Sequence, residues 1–146
     1  MPRPETPSLA ADTIIELTDR PGRPIVLIDR RFPPYGWAIP GGFVDIGESL
    51  EQAAVREAAE ETALAVTLKR LLGMYSDPSR DARGHTVSAV YVAEASGEPE
   101  AQDDAKNVGV FALGNLPTAL AFDHASILED YRHFRDTGEL PPVKSR

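Results

Sequence analysis

The chain of 146 residues predicts an α/β (α+β) fold in which a mixed β-sheet is sandwiched between α-helices. Three observations predict it. Strand-like and helix-like stretches follow one another in the order strands, helix, strands, helix, which suits helices packed on a sheet. The length fits one domain with a buried core and leaves no comfortable room for a second. Hydrophobic residues at 42 % and charged residues at 26 % lie near globular averages, which argues against wholesale disorder.

The elements follow in order. Residues 1–10 hold three prolines and read as a flexible N-terminal arm, or one that docks on a partner subunit. "TIIEL" and "IVLIDRR" read as two strands joined by the turn formers "DRPGRP". "FPPYG" breaks the chain, and "WAIPGG" is a short extended entry to two glycines. Ser49 followed three residues later by Gln52 predicts a capping box, and the run behind it is rich in Ala and Glu, both good helix formers. "AVTLKRLLGMYS" and "TVSAVYVAEA" predict longer strands around the polar loop "DPSRDARGH". After the acidic loop "SGEPEAQDDAK" comes a strand in "VGVFAL". Ile127, Leu128, Tyr131 and Phe134 then repeat at helical spacing, with Asp123 as N-cap and Gly138 as stop. The expected organisation is an arm over 1–10, one domain over 11–138 and a C-terminal tail over 139–146.

Composition narrows the chemistry. Cysteine is absent, which excludes disulfides, thiolate metal sites and a cysteine nucleophile. A formal charge of −8 without a Lys/Arg cluster argues against nucleic acid as a partner. No apolar run suits an export signal or approaches the roughly 20 residues of a membrane span, so a cytoplasmic protein without a membrane partner is expected. An anionic substrate would need positive charge from elsewhere, and a divalent metal is the obvious supplier.

The stretch "GGFVDIGESLEQAAVREAAEETALAV", residues 41–66, carries that metal argument. At about 100° per residue, Glu57, Glu60 and Glu61 fall within an arc of roughly 100°. They continue a face that Leu50, Ala53 and Ala54 begin, which is not how a solvated face is patterned. The alternative is a set of ordinary surface glutamates in a helix-favouring run. In a cleft, three unpaired carboxylates would push one another toward neutrality, whereas a hard divalent cation favours their ionised form. Mg2+ takes oxygen ligands and keeps waters and substrate phosphates in its shell.

Residues 42–64 resemble the signature of the Nudix hydrolases. That signature reads glycine, five residues, glutamate, seven residues, Arg-Glu, an aliphatic, any residue, Glu-Glu, any residue, glycine, aliphatic. Gly42, Glu48, Arg56, Glu57, Glu60, Glu61 and Leu64 meet it, with Ala58 as a small first aliphatic and Ala63 in place of the final glycine. With these residue types at about 5 to 7 % each, six matches at fixed spacing arise by chance roughly once in 10⁷ starts. The resemblance implies that Glu57, Glu60 and Glu61 bind Mg2+ or Mn2+, with the Gly41 carbonyl as a further ligand, and that Arg56 and Glu48 orient the cluster. If Ala63 must adopt positive φ, alanine there costs about 1 kcal/mol and removes no ligand.

"YSDPSRDARGHTVS" and "LAFDHASIL" further resemble segments of bacterial and archaeal ADP-ribose pyrophosphatases, which have proline where this chain has Ala82. The resemblance covers roughly residues 10–135 and implies metal-dependent hydrolysis of ADP-ribose to AMP and ribose 5-phosphate. Oxidised dNTPs, dinucleoside polyphosphates and nucleotide sugars are the alternative substrates, and a non-catalytic ADP-ribose sensor is the alternative class. Arg80 and Arg83 would reach a diphosphate or terminal ribose, or merely pair with Asp77 and Asp81. Trp37 and Phe43 would stack on adenine or belong to the core. Phe122, Asp123 and His124 are candidate ribose contacts, unless Asp123 only caps the last helix, and His85 reads as structural. Asp103 or Asp104 would supply a further metal ligand or the general base. The family also implies a homodimer.

Overall fold

The computed structural model describes residues 2–143; Met1 of the arm and residues 144–146 of the tail lie outside the described residues. The sheet is built around β1 (Ser8–Leu17). It runs parallel to β6 (Thr86–Ala95) in continuous register from Ser8 opposite Thr86 to Leu17 opposite Ala95. β5 (Thr67–Tyr75) pairs antiparallel with β6 on the far side. On its other edge β1 is shared. Ile15 and Glu16 pair with β2 (Ile25–Arg30), and Ala10 to Asp12 pair with β4 (Gly41–Phe43). β2 also carries β3 (Trp37–Ala38) and β7 (Ala105–Phe111). β2 and β4 therefore leave β1 as a fork, and the fork makes room for a cavity.

Every residue of β1 from Ala10 to Leu17 is buried, as expected of a strand with a parallel neighbour and a helix on each face. Helix α1 (Leu50–Thr62) covers one face, where Ile15 and Leu17 pack with Val26, Ala58 and Leu64, and Ala11 packs with Ala53, Ala54 and Ala89. Small residues on this side of α1 let it lie close to the sheet. Helix α2 (His124–Thr137) covers the other face, where Ile14, Ile25 and Leu27 pack with Ile127, Leu128 and Tyr131. The expected sheet between helices, hairpin β1–β2 and stop at Gly138 are all present. Two starts differ. β1 begins at Ser8, inside the stretch read as a loose arm, because the backbone of Ser8 to Ala10 finds partners in β6 and β4 that lie far along the chain. β7 begins at Ala105 rather than Val108, since Ala105 and Asn107 pair with Arg30 and Asp29.

Ala63 closes α1 in the left-handed region, at φ 64° and ψ 13°, with its N–H donating to the Ala59 carbonyl. A side chain there crowds the following carbonyl, and glycine does not. Ala63→Gly is expected to raise the unfolding free energy by about 1 kcal/mol in urea denaturation; an unchanged or lowered value would contradict the assignment.

Candidate active site

The phase of α1 is set at its first turn. The Ser49 hydroxyl accepts from the Gln52 N–H at 3.1 Å, and the Gln52 side chain accepts from the Ser49 N–H at 2.9 Å, completing the predicted box. Burying Ala53, Ala54 and Ala58 then carries the same face forward to Glu57 and Glu61 at the fork. Glu61 is 4 % exposed, and its carboxylate accepts the Gly41 N–H at 2.7 Å. Burial pushes its pKa up to about 8, with the Gly41 bond opposing. Glu57, half-buried beside it, is also raised by burial, against the pull of Arg56. Glu60 lies at the margin of the arc, and 43 % of its side chain is exposed.

Arg56 is the hub of this acidic end. Its Nε and Nη2 grip both Glu48 oxygens at 2.6 and 2.8 Å, and its Nη1 donates to Glu57 at 2.7 Å and to Glu60 at 3.1 Å. A further bond to the Phe43 carbonyl ties it to β4. Glu48 is thereby held down to about 2, by Arg56 first and by the Asp45 N–H second. The two glycines owe their identity to close approach. A Cβ on Gly42 would lie 2.5 Å from the Glu57 carboxylate, and one on Gly41 would overlap the Asp12 carboxylate.

The cavity in the fork measures 270 Å³, and Gly41, Phe43, Glu57, Glu61, Arg80 and Arg83 are among its lining residues. Asp104, Phe122 and His124 also line it, whereas Asp103, at φ 51°, does not. Asp104 is placed by backbone bonds. The Glu100 and Gln102 N–H groups donate to the Thr62 and Glu61 carbonyls, and the Arg31 N–H donates to Asp104. The acidic loop is thus hung on the last turn of α1. Trp37 turns away and meets Phe111 edge-on at 5.1 Å, within the core. His85 bonds the Ser76 carbonyl at 2.9 Å, the structural role read for it.

Asp123 stands at the N-cap position of α2, where its carbonyl accepts the Ile127 N–H, but its side chain makes no bond to the helix N-terminus. It is held instead by Arg80, whose Nε and Nη2 reach it at 2.9 and 2.8 Å while Nη1 binds Ser88 Oγ and the Thr86 carbonyl. A two-pronged guanidinium bond outcompetes a single helix N–H. Only 3 % of the Arg80 side chain is exposed, so this cation is committed to the protein. Arg83 takes the simpler course and pairs with Asp81 at 2.8 Å, its guanidinium lying over the Phe43 and Phe122 rings at 5.4 and 5.2 Å. His124 is buried, its Nδ1 accepts the Ile39 N–H at 2.9 Å, and burial lowers its pKa to about 3, so the ring is neutral.

Asp12 lines the same cavity and was not singled out by sequence reasoning. It is 6 % exposed, and burial lifts it to about 7, against Arg80 and Ser88. The available signal was an acid directly ahead of a run as apolar as "TIIEL". Among the described residues no group of three or more His, Asp and Glu side chains stands in a metal-holding arrangement. Glu57 and Glu60 are turned to Arg56 instead. The donor chemistry nonetheless fits a hard cation, because Glu57, Glu61, Asp12 and Asp104 are all oxygen donors on one cavity.

A profile described as the NUDIX domain matches residues 7–131. The chain is 47 % identical over 133 residues to the ADP-ribose pyrophosphatase of Methanocaldococcus jannaschii, covering 89 % of this chain and 76 % of that one. Among solved structures it is similar to the NUDIX domain of Shewanella oneidensis NrtR complexed with ADP ribose, with TM-score 0.78, 31 % identity, and coverage of 91 % of this chain and 90 % of that one. It is also similar to a MutT/nudix family protein from Enterococcus faecalis, with TM-score 0.81, 30 % identity, and coverage of 97 % and 67 %.

Two outcomes follow from the site's electrostatics. Breaking a buried ion pair from one side leaves a charge uncompensated, so Asp123→Ala is expected to cost about 3 kcal/mol in urea denaturation, and a loss under about 1 kcal/mol would contradict it. Glu61 and Asp12 keep their protons to higher pH in the folded chain than in the unfolded one. Between about pH 4.5 and 8 the folded state binds more protons, so the stability they contribute is present at low pH and lost as pH rises through the folded values. Glu48 and Asp81, both lowered, act oppositely only below about pH 4, and His124, lowered to about 3, acts oppositely up to about pH 6.5, one group against two. In EDTA the melting temperature should therefore fall from pH 5.5 to pH 8.5, and Glu61→Gln, which keeps an acceptor for Gly41, should flatten that fall. A flat wild-type profile would contradict it.

Proposed function

The chain belongs to the Nudix family of hydrolases and is a pyrophosphohydrolase of nucleotide-linked substrates, and we propose that its substrate is ADP-ribose, cleaved to AMP and ribose 5-phosphate. The observation that carries the reading is the set of buried carboxylates gathered at one cavity with too little positive charge beside them. Identity of 47 % to an ADP-ribose pyrophosphatase supports the choice of substrate.

Glu57, Glu60 and Glu61, with the Gly41 carbonyl, would hold Mg2+ or Mn2+. Bound there, the ion neutralises a diphosphate and lowers the pKa of a water molecule. The chain's own groups do the rest. Arg56 and Glu48 hold Glu57 in place, and the Gly41 N–H holds Glu61. A carboxylate, for which Asp104 on the loop is the candidate, accepts the proton of the water as its oxygen bonds to one phosphorus and the P–O–P bridge breaks. Phe43, half exposed at the cavity wall, offers its ring to the nucleotide. The enzyme acts in the cytoplasm as a homodimer in this reading; no helix of the described residues is long and apolar enough to cross a membrane.

A substrate panel in Mg2+ tests the proposal. ADP-ribose should turn over fastest, with AMP and ribose 5-phosphate in equal amounts, and EDTA should abolish it. Glu61→Gln should lower kcat roughly 10²- to 10³-fold, the order found on removing one preorganised charged or polar group. Faster turnover of dNTPs, dinucleoside polyphosphates or nucleotide sugars would overturn the substrate, and tight ADP-ribose binding without AMP would overturn catalysis.

A further inference from the structure

His124 has one ring nitrogen that the fold uses and one that it does not. The side chain begins α2 at the cavity wall, and the residue is only 3 % exposed. Its Nδ1 accepts the Ile39 N–H at 2.9 Å. A nitrogen that accepts from a backbone N–H carries no proton of its own, so the proton of the neutral imidazole sits on Nε2. The backbone thus sets the tautomer. Ile39 is itself held in place, because it lies between β3 and β4, where the Trp37 N–H donates to the Ala119 carbonyl and the Thr13 N–H to the Pro40 carbonyl.

Nε2 has no hydrogen-bond partner among the described residues. Its neighbours explain why. Arg80 and Arg30 stand close enough to act on the ring, but a guanidinium has donors only and accepts no proton. Asp123, the preceding residue, gives both carboxylate oxygens to Arg80. Phe122 meets the imidazole at 5.1 Å, tilted by 45°, and has no oxygen to offer. Among the described residues no side-chain nitrogen or oxygen sealed from solvent lacks a partner, so Nε2 is not sealed. The surface it reaches is the cavity that His124 lines. A donor held in one orientation in a buried ring, where an unmade bond costs free energy, is a donor that a ligand completes.

We infer that the His124 Nε2–H donates to a ribose hydroxyl oxygen of the bound substrate and so selects for a sugar attached to the diphosphate. The choice of acceptor follows from charge. The Ile39 N–H occupies the nitrogen that would take a second proton, so the ring stays neutral, whereas phosphate is held most strongly by charged donors. Position agrees. His124 belongs to α2, which covers the face of the sheet opposite α1 and its carboxylates, and a sugar lies to one side of the phosphates that those carboxylates serve. A site built to bond a hydroxyl rejects the analogue that lacks it. The assignment rests on the pyrophosphohydrolase reading and names a binding and specificity residue rather than a catalytic one.

The test uses AMP, ribose 5-phosphate and inorganic phosphate as probes in Mg2+, none of which needs turnover. Nitrogen-15 correlation spectra of the wild-type histidine rings should show His124 protonated on Nε2 alone. Its Nε2–H resonance should shift with AMP, with ribose 5-phosphate or with both, and stay in place with inorganic phosphate. The probe that moves it identifies which ribose is held. His124→Asn puts an amide oxygen where Nδ1 accepts from Ile39 and removes the donor. It should weaken that same sugar phosphate at least about fivefold in calorimetry and leave inorganic phosphate within about twofold. His124→Gln, whose amide nitrogen extends toward the place of Nε2, should restore part of the loss. Should neither variant fold, the wild-type spectra decide. If wild type fails to cleave ADP-ribose while these responses are seen, the substrate proposal falls and the role of His124 stands. A proton on Nδ1, an Nε2–H resonance that moves with neither sugar phosphate or equally with inorganic phosphate, or wild-type affinity for both sugar phosphates in His124→Asn would overturn the assignment.

Discussion

Carboxylates taken out of water without enough cations to match them are the constraint around which this structure is arranged. Glu61 and Asp12 are almost fully buried and Glu57 partly so, all facing one cavity. The chain compensates each in part: a Gly41 N–H for Glu61, Arg56 for Glu57, Arg80 and Ser88 for Asp12. Burial, only partly offset by these partners, raises all three pKa values. A fold selected only for stability would replace such groups with apolar ones, since buried charge is expensive. Their presence is intelligible when a hard cation and an anionic substrate complete the site.

Other local features serve that arrangement. The capping box fixes where α1 begins, and alanines bring it against β1, so that its fourth turn delivers Glu61 to the fork. Gly42 is bare because Glu57 occupies the space a methyl group would need. The acidic loop hangs from the last carbonyls of the same helix, which brings Asp104 round to the cavity. On the opposite wall, the Arg80–Asp123 pair anchors the β5–β6 loop to the start of α2, beside Phe122 and His124.

What the sequence revealed was local, and what it concealed was long-range. The helix, its cap, the left-handed end at Ala63 and the shared face of Glu57 and Glu61 follow from neighbours within two turns, and all are readable by spacing. Asp12 escaped because its burial depends on a parallel ladder to β6, whose residues lie far along the chain. Asp123 sits at the helix start that aspartate favours, but its side chain is claimed by an arginine 43 residues away. The fold is legible from pattern, and the ownership of each charge only from topology.

Diffraction from crystals grown in Mn2+, recorded for the metal's anomalous signal, is the most direct measurement of the central idea. A peak at the cavity against Glu57 and Glu61, with Arg56 displaced from Glu57, is the result that buried uncompensated carboxylates require. Crystals in which those side chains keep their bonds to Arg56 and Gly41, with no anomalous density at the cavity, would contradict it.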